Sequence, residues 1–176
     1  VVLLVYYRLS HHNQNRFLVV ASCFFYASWD WRFLAPLLFS TTIDFYCARQ
    51  MERSIEAGGS QRERKRYLIL SLVTNLGLLA FFKYFNFFVD SFHDLMLGIG
   101  VDVPVPALNV ILPVGISFYT FQALSYTIDV YRGQVHAVRS FWDFFLAVLF
   151  FPHLVAGPIQ RAANLLTQVM TPRRTT

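Results

Sequence analysis

Apolar runs separated by short polar breaks fill this chain, and their lengths predict helices rather than strands. Residues 1–9 read as the end of one helix, and the polar break SHHNQNR follows. Residues 17–29 and 32–48 form two further apolar segments, each shorter than the roughly 20 residues that a full membrane span needs. Between them the WDWR apex places Trp29, Trp31 and Arg32, residue types suited to a headgroup boundary. A tight helical hairpin in a thin bilayer fits this pattern, and so does one bent element. Residues 67–90 give the strongest transmembrane signal. Residues 110–130 cross back, with Pro113 near the start, where a missing N–H does little harm. Residues 141–158 re-enter, interrupted by Pro152 and ended by Gly157 and Pro158, and residues 160–169 have amphipathic spacing suited to the interface. The expectation is an all-α, multi-span transmembrane protein with short and Pro-broken helices, forming a single unit over residues 1–176.

The polar breaks set the expected topology. Residues 49–66 hold Arg49, Arg53, Arg62, Arg64, Lys65 and Arg66 against Glu52, Glu56 and Glu63. By the positive-inside rule they form a solvated cytoplasmic loop, with an anionic-partner site as the lesser reading. Residues 90–109 contain no Lys or Arg and are placed outside, and Arg132 and Arg139 mark the inner side again. The implied location is a multi-pass position in the bacterial inner membrane.

Composition agrees with the pattern. Hydrophobic residues make up 56% of the 176 and charged residues 14%, against about 25% charged in a soluble domain. The net charge of +5 sits in the loops and comes with no RNA-binding motif, so nucleic acid is excluded as a partner. Cys23 and Cys47 lie in apolar helices without metal spacing and read as inert buried thiols. The opening VVLLVYYRL has neither a basic leader nor a cleavage site, and the chain reads as a fragment of a longer one.

Polar groups inside apolar runs are the candidate chemistry, because lipid makes them expensive: roughly 2.5–3.5 kcal/mol for an Asp at mid-helix. Phe118, Gln122, Ser125 and Asp129 fall on one helical stripe. Interhelical packing is the leading account of that stripe and the lining of a substrate path is the second, with Asp129 also placed to pair with Arg132. Lys83, Asn86 and Asp90 share a face, where Lys83 either snorkels or pairs, or binds an anionic group. Asp44 reads as the partner of Arg49 in an interfacial ion pair. His153 stands beside Pro152 on irregular backbone, which survives at membrane depth only against protein or a water-filled cavity. It reads first as a cavity wall and second as a general base, because no nucleophile or orienting carboxylate is visible beside it. No Walker loop, GxSxG, HExxH or CxxC occurs, and no metal site is expected.

Three runs carry a family resemblance: FFKYFNFF (81–88), LPVGISFYTFQALSYTIDVYRG (112–133) and FFPHLVAGPIQR (150–161). They closely resemble the membrane-bound O-acyltransferase family, and within it the branch of the alginate O-acetyltransferase and the D-alanyl transfer protein of teichoic acid. The run at 18–45 is similar to the early hairpin of that branch. The resemblance implies a longer multi-helix enzyme with a central tunnel through a thinned bilayer. It also implies acyl transfer from a cytoplasmic thioester donor, such as acetyl-CoA or an acyl carrier, to an exported polysaccharide. No cofactor is implied beyond that donor, and extracytoplasmic polysaccharide-modifying proteins are the implied partners. The family's essential His lies in a later apolar segment, so the fragment is expected to be inactive alone. Gln122, Ser125, Asp129, His153, Gln160, Arg161 and Lys83 are left with supporting roles on the substrate path. The rival functions are a transporter or channel element built on the Pro152 break, and a non-catalytic scaffold subunit.

Overall fold

The computed structural model describes residues 11–101, 110–150, 166 and 169, and every regular element among them is helical. The order is α1 (His11–Asp30), a 3-10 turn (Trp31–Phe33), α2 (Leu34–Glu56), α3 (Gln61–Gly98), α4 (Ile116–Tyr131) and α5 (Phe141–Leu149). The expected segments 1–9 and 160–169, and the part of 141–158 after Phe150, lie outside the described residues, apart from Leu166 and Val169, which are helical and buried.

Helix ends follow capping and hydrogen bonding more than hydropathy, and this moves several expected boundaries. The segment 17–29 belongs to a 20-residue helix that starts at His11. Its polar first turns are held because Asn15 Nδ2 donates to Asp143 Oδ1 at 2.9 Å and to the Val169 carbonyl at 3.3 Å. At the WDWR apex the Asp30 carboxylate accepts from the Arg32 N–H at 2.9 Å and caps the 3-10 turn. The segment 32–48 continues as α2 to Glu56.

The expected solvated loop at 49–66 is the main correction. Only residues 57–60 leave the helical state, and Met51, Glu52 and Ser54 are buried. Gly58 supplies the left-handed turn at φ +66°. Gly59 lets the chain pass close to α2, since a Cβ there would collide with Ser54 Oγ and lie 2.9 Å from the Ser54 carbonyl. Ser60 then caps α3 by accepting from the Glu63 N–H at 3.3 Å. The helix therefore starts six residues before its apolar run and also extends past Asp90 to Gly98, through the start of the expected loop at 90–109. At about 1.5 Å per residue it is roughly 57 Å long, well beyond a hydrocarbon core of about 30 Å.

The return segment begins later than its apolar pattern. Residues 110–115 are not helical, and α4 starts after Gly115, whose φ of +76° only glycine adopts at little cost. Replacing Gly115 with alanine is expected to destabilise the protein by about 1–2 kcal/mol, read as a lower unfolding temperature in detergent. Helix α5 ends at Leu149. Phe150 is already extended in ψ at 106°, which is where a chain approaching Pro152 leaves the helix.

The core runs through α5, whose residues from Phe144 to Leu149 are all buried. This helix packs chiefly on α1, while α2, α3 and α4 pack on one another. Phe45 meets Phe141 edge-on at 5.4 Å, and Tyr126 meets Phe144 at 4.7 Å. The exterior is strongly apolar, with Phe24, Trp29, Trp31, Val73, Phe87 and Phe88 all exposed. Among the described residues α3 alone is long and apolar enough to cross a membrane, and only 11% of its apolar window is buried within the protein. The core helix of a soluble protein would be mostly covered.

Candidate functional site

Among the described residues, four sets of polar groups stand out against this apolar framework, two of them buried and two reaching the surface. The first lies on α4. Gln122 is buried, and its Nε2 donates to the Ala147 carbonyl of α5 at 2.9 Å. Its Oε1 has no hydrogen-bond partner among the described residues, and neither does the buried Tyr119 hydroxyl three positions earlier. Positions three apart are neighbours on a helix face. The Tyr26 phenol of α1 donates to the Val114 carbonyl, just before α4, at 2.6 Å. Buried polar atoms left open are rare, and each calls for a water or another group as partner. This end of α4 thus holds two buried polar atoms with no partner among the described residues.

The rest of the predicted stripe does not join them. Ser125 is half-buried and turns its hydroxyl back to the Gln122 carbonyl of its own helix at 2.8 Å. Asp129 is half-buried, and Arg132 is exposed with no ion pair to it among the described residues. Phe118 packs against the core. His153, Gln160 and Arg161 lie outside the described residues. Lys83 is exposed and stands over the ring of its neighbour Tyr84 at 5.5 Å. It is not gathered with Asn86, which instead grips the chain before α4: Asn86 Nδ2 donates to the Val110 carbonyl at 2.9 Å, and the Val110 N–H donates to Asn86 Oδ1 at 3.0 Å.

The second set corrects the reading of Asp44. It is fully buried and makes no ion pair with Arg49. Its carboxylate accepts from Ser71 Oγ at 2.5 Å, and from Asn75 Nδ2 at 2.7 Å on one oxygen and 2.9 Å on the other. Ser71 and Asn75 lie one turn apart on α3, so one carboxylate clamps α2 to a single face of α3. The helix rotation carries Asp44 inward and leaves the half-buried Arg49 elsewhere.

The third set joins α2 to the connection between α4 and α5. Glu52 is buried, and its Oε1 lies 2.7 Å from Nδ1 of His136, whose side chain is almost fully exposed. Glu52 Oε2 accepts from the Ala137 N–H at 3.4 Å, and the Tyr126 hydroxyl accepts from the Val138 N–H at 2.9 Å. Three consecutive residues are thereby docked on the helices. Glu52→Ala is expected to free this connection and speed tryptic cleavage at the exposed Arg132 and Arg139 by about tenfold, since a protease samples the opened state. Peptide mapping of limited digests reads that rate at each arginine.

The fourth set is a cleft of about 270 Å³ between the first turn of α3 and the last turn of α4, lined by Gln61, Arg62, Lys65 and Tyr131. Among the described residues no group of three or more His, Cys, Asp or Glu is placed to hold a metal. Sequence reasoning singled out Gln122 but passed over Tyr119, Asn75 and His136. Tyr119 and Asn75 carried a usable signal, a polar atom inside an apolar helix on the same face as another one.

Similarity to known proteins adds to this geometry. The chain is 39% identical to the probable alginate O-acetylase AlgI of Pseudomonas aeruginosa over 93% of its own length and 31% of that protein. It is 40% identical to the probable alginate O-acetylase AlgI of Pseudomonas putida, over 93% of the chain and 33% of that protein. It is 30% identical to the peptidoglycan O-acetyltransferase of Helicobacter pylori, over 86% of the chain and 32% of that protein. The chain thus spans about a third of the length of these relatives. No family model and no solved structure matches it.

Proposed function

We propose that this chain, by its similarity to the alginate O-acetylases and its resemblance to the membrane-bound O-acyltransferase family, is part of a multi-pass membrane O-acetyltransferase. The whole protein moves an acetyl group from a thioester donor on the cytoplasmic side towards a hydroxyl of an exported polysaccharide. The observation that carries this reading is the similarity along nearly the whole chain to proteins named for O-acetylation. Extracytoplasmic proteins that modify the same polysaccharide are its proposed partners.

In this reaction the acceptor oxygen attacks the thioester carbonyl carbon and gives up its proton to a base. The carbon–sulfur bond then breaks, and the thiol leaves with a proton. The chemistry needs a dry, oriented site more than an elaborate one, because positioning alone removes several kcal/mol from the barrier. Tyr119 and Gln122 suit that need, since each holds a buried polar atom with no partner among the described residues. We assign these two to the acyl path. Ser125, Asp129 and Lys83 are left as supports of the fold and its surface, and no catalytic base is assigned within the chain. His153, Gln160 and Arg161 are proposed as further wall residues of the same path.

The sidedness follows from charge. The turn at 57–60 and the connection at 132–140 are flanked by Arg53, Arg62, Lys65, Arg132 and Arg139, and we place both in the cytoplasm. Labelling of single cysteines introduced at Gly58 and at Gly100 tests this arrangement. A reagent confined to the outside is expected to reach the second site and not the first, and the reverse result would overturn the topology.

A further inference from the structure

We propose that the cleft between α3 and α4 lined by Gln61, Arg62, Lys65 and Tyr131 is a binding site for a phosphate group. Arg62 and Lys65 stand three residues apart, so their cationic heads share one face of the first turns of α3. Both are exposed, and neither forms an ion pair among the described residues. Among the described residues, the cleft wall contains no carboxylate. Glu63 sits on the same turn but points the other way, where its Oε2 accepts from Ser54 Oγ at 3.1 Å. The remaining groups are an amide and a phenol, each able to donate to an oxyanion. Two cations and two neutral donors around one space form the donor set of a phosphoryl anion, with the fork of Arg62 suited to two of its oxygens.

Size and position narrow the ligand. At about 270 Å³ the cleft lies just under the range of roughly 300–1,000 Å³ for small-molecule pockets. It takes a phosphate with a short stem rather than a whole nucleotide. The cleft opens beside the last polar turn before the apolar run that begins at Tyr67, which a membrane placement of α3 sets at the level of the lipid headgroups. The phosphate therefore belongs either to an anionic lipid or to a free phosphorylated molecule arriving from solution. The inference rests on the membrane placement of α3 and not on the acyl-transfer reading.

The test uses the complete protein in nanodiscs of zwitterionic lipid, with short-chain phosphatidylglycerol and inorganic phosphate as separate probes. The apparent dissociation constant is read from the rise in unfolding temperature as each probe is titrated. A double substitution, Arg62→Gln with Lys65→Gln, is expected to weaken binding at least about tenfold, because each basic residue near an anionic surface is worth roughly a fivefold change. Arg139→Gln, an equally exposed cation away from the cleft, is expected to leave binding unchanged. Binding of inorganic phosphate that competes with the lipid identifies a free phosphate as ligand, and binding of phosphatidylglycerol alone identifies a lipid site. The proposal is overturned if neither probe binds, if the double variant binds as tightly as the wild type, or if Arg139→Gln weakens binding as much.

Discussion

Replacing Asp44 with alanine lowers the unfolding free energy by about 2–4 kcal/mol, because it leaves the buried Ser71 hydroxyl without an acceptor, at roughly 1–3 kcal/mol, and strips the Asn75 amide of its bonds to the carboxylate, at about 1 kcal/mol more. Ser71 loses its partner, Asn75 Nδ2 keeps only the Ser71 carbonyl of its own helix at 3.0 Å, and neither side chain reaches water, with 0% and 1% exposure. An average hydrogen bond between membrane helices is worth only about 0.6 kcal/mol, so the size of the effect decides whether the clamp acts as a unit. Asp44→Asn keeps one acceptor oxygen but sets an NH2 group against the Asn75 amide, and about half the loss is expected. Ser40→Ala is the reference, because its hydroxyl only bonds back to the Leu37 carbonyl of its own helix at 3.1 Å. It should cost well under about 1 kcal/mol. Equilibrium unfolding of the complete protein in detergent measures all three. Equal effects for Asp44→Ala and Ser40→Ala would contradict the clamp.

The second large effect concerns activity at unchanged stability. Tyr119→Phe removes only the hydroxyl, which among the described residues has no partner to lose. If Tyr119 served packing alone, the substitution would leave the protein as stable or slightly more so, and as active. As a wall of the acyl path it is expected to cut acetyl transfer about tenfold, equivalent to about 1.4 kcal/mol of barrier, with no fall in unfolding temperature. Gln122→Ala should cost activity and stability together, since it also breaks the tie to the Ala147 carbonyl. Ser125→Ala should change transfer less than about twofold, because its hydroxyl is spent on the helix backbone. Initial rates with a labelled acetyl donor, set beside unfolding temperatures, separate these cases.

The sequence made the helical class legible because the apolar runs have helix length, and it marked α3 because Tyr67 to Val89 is long and nearly free of charge. The ends of the helices were less legible. Hydropathy reports where a chain is apolar, whereas α2 and α3 run on through polar residues that are capped by Ser60 or buried through distant partners. Glu52 shows the limit: it looks like one more charge in an arginine-rich stretch, yet its hydrogen-bond partners are His136 and Ala137, 84 and 85 residues further on. Asp44 was read with its sequence neighbour Arg49, although its partners lie 27 and 31 residues away on the next helix. For the candidate site, Gln122 was legible as an amide in an apolar run. Its stripe was not, because equal helical spacing does not tell a side chain that reaches across to α5 from one, like Ser125, that folds back on its own helix. Tyr119 went unnoticed because an aromatic residue in an apolar run looks like ordinary core until its hydroxyl is seen to be buried and open.

The most direct measurement of the account is acetyl transfer by the complete protein, reconstituted in sealed vesicles with a labelled acetyl thioester on the face bearing Arg62 and Lys65 and a polysaccharide acceptor on the other. The account predicts label in ester linkage to acceptor hydroxyls, lost when the donor is placed with the acceptor and reduced about tenfold by Tyr119→Phe. A folded protein that moves no acetyl group, or that carries solute across the vesicle wall without forming an ester, would contradict it.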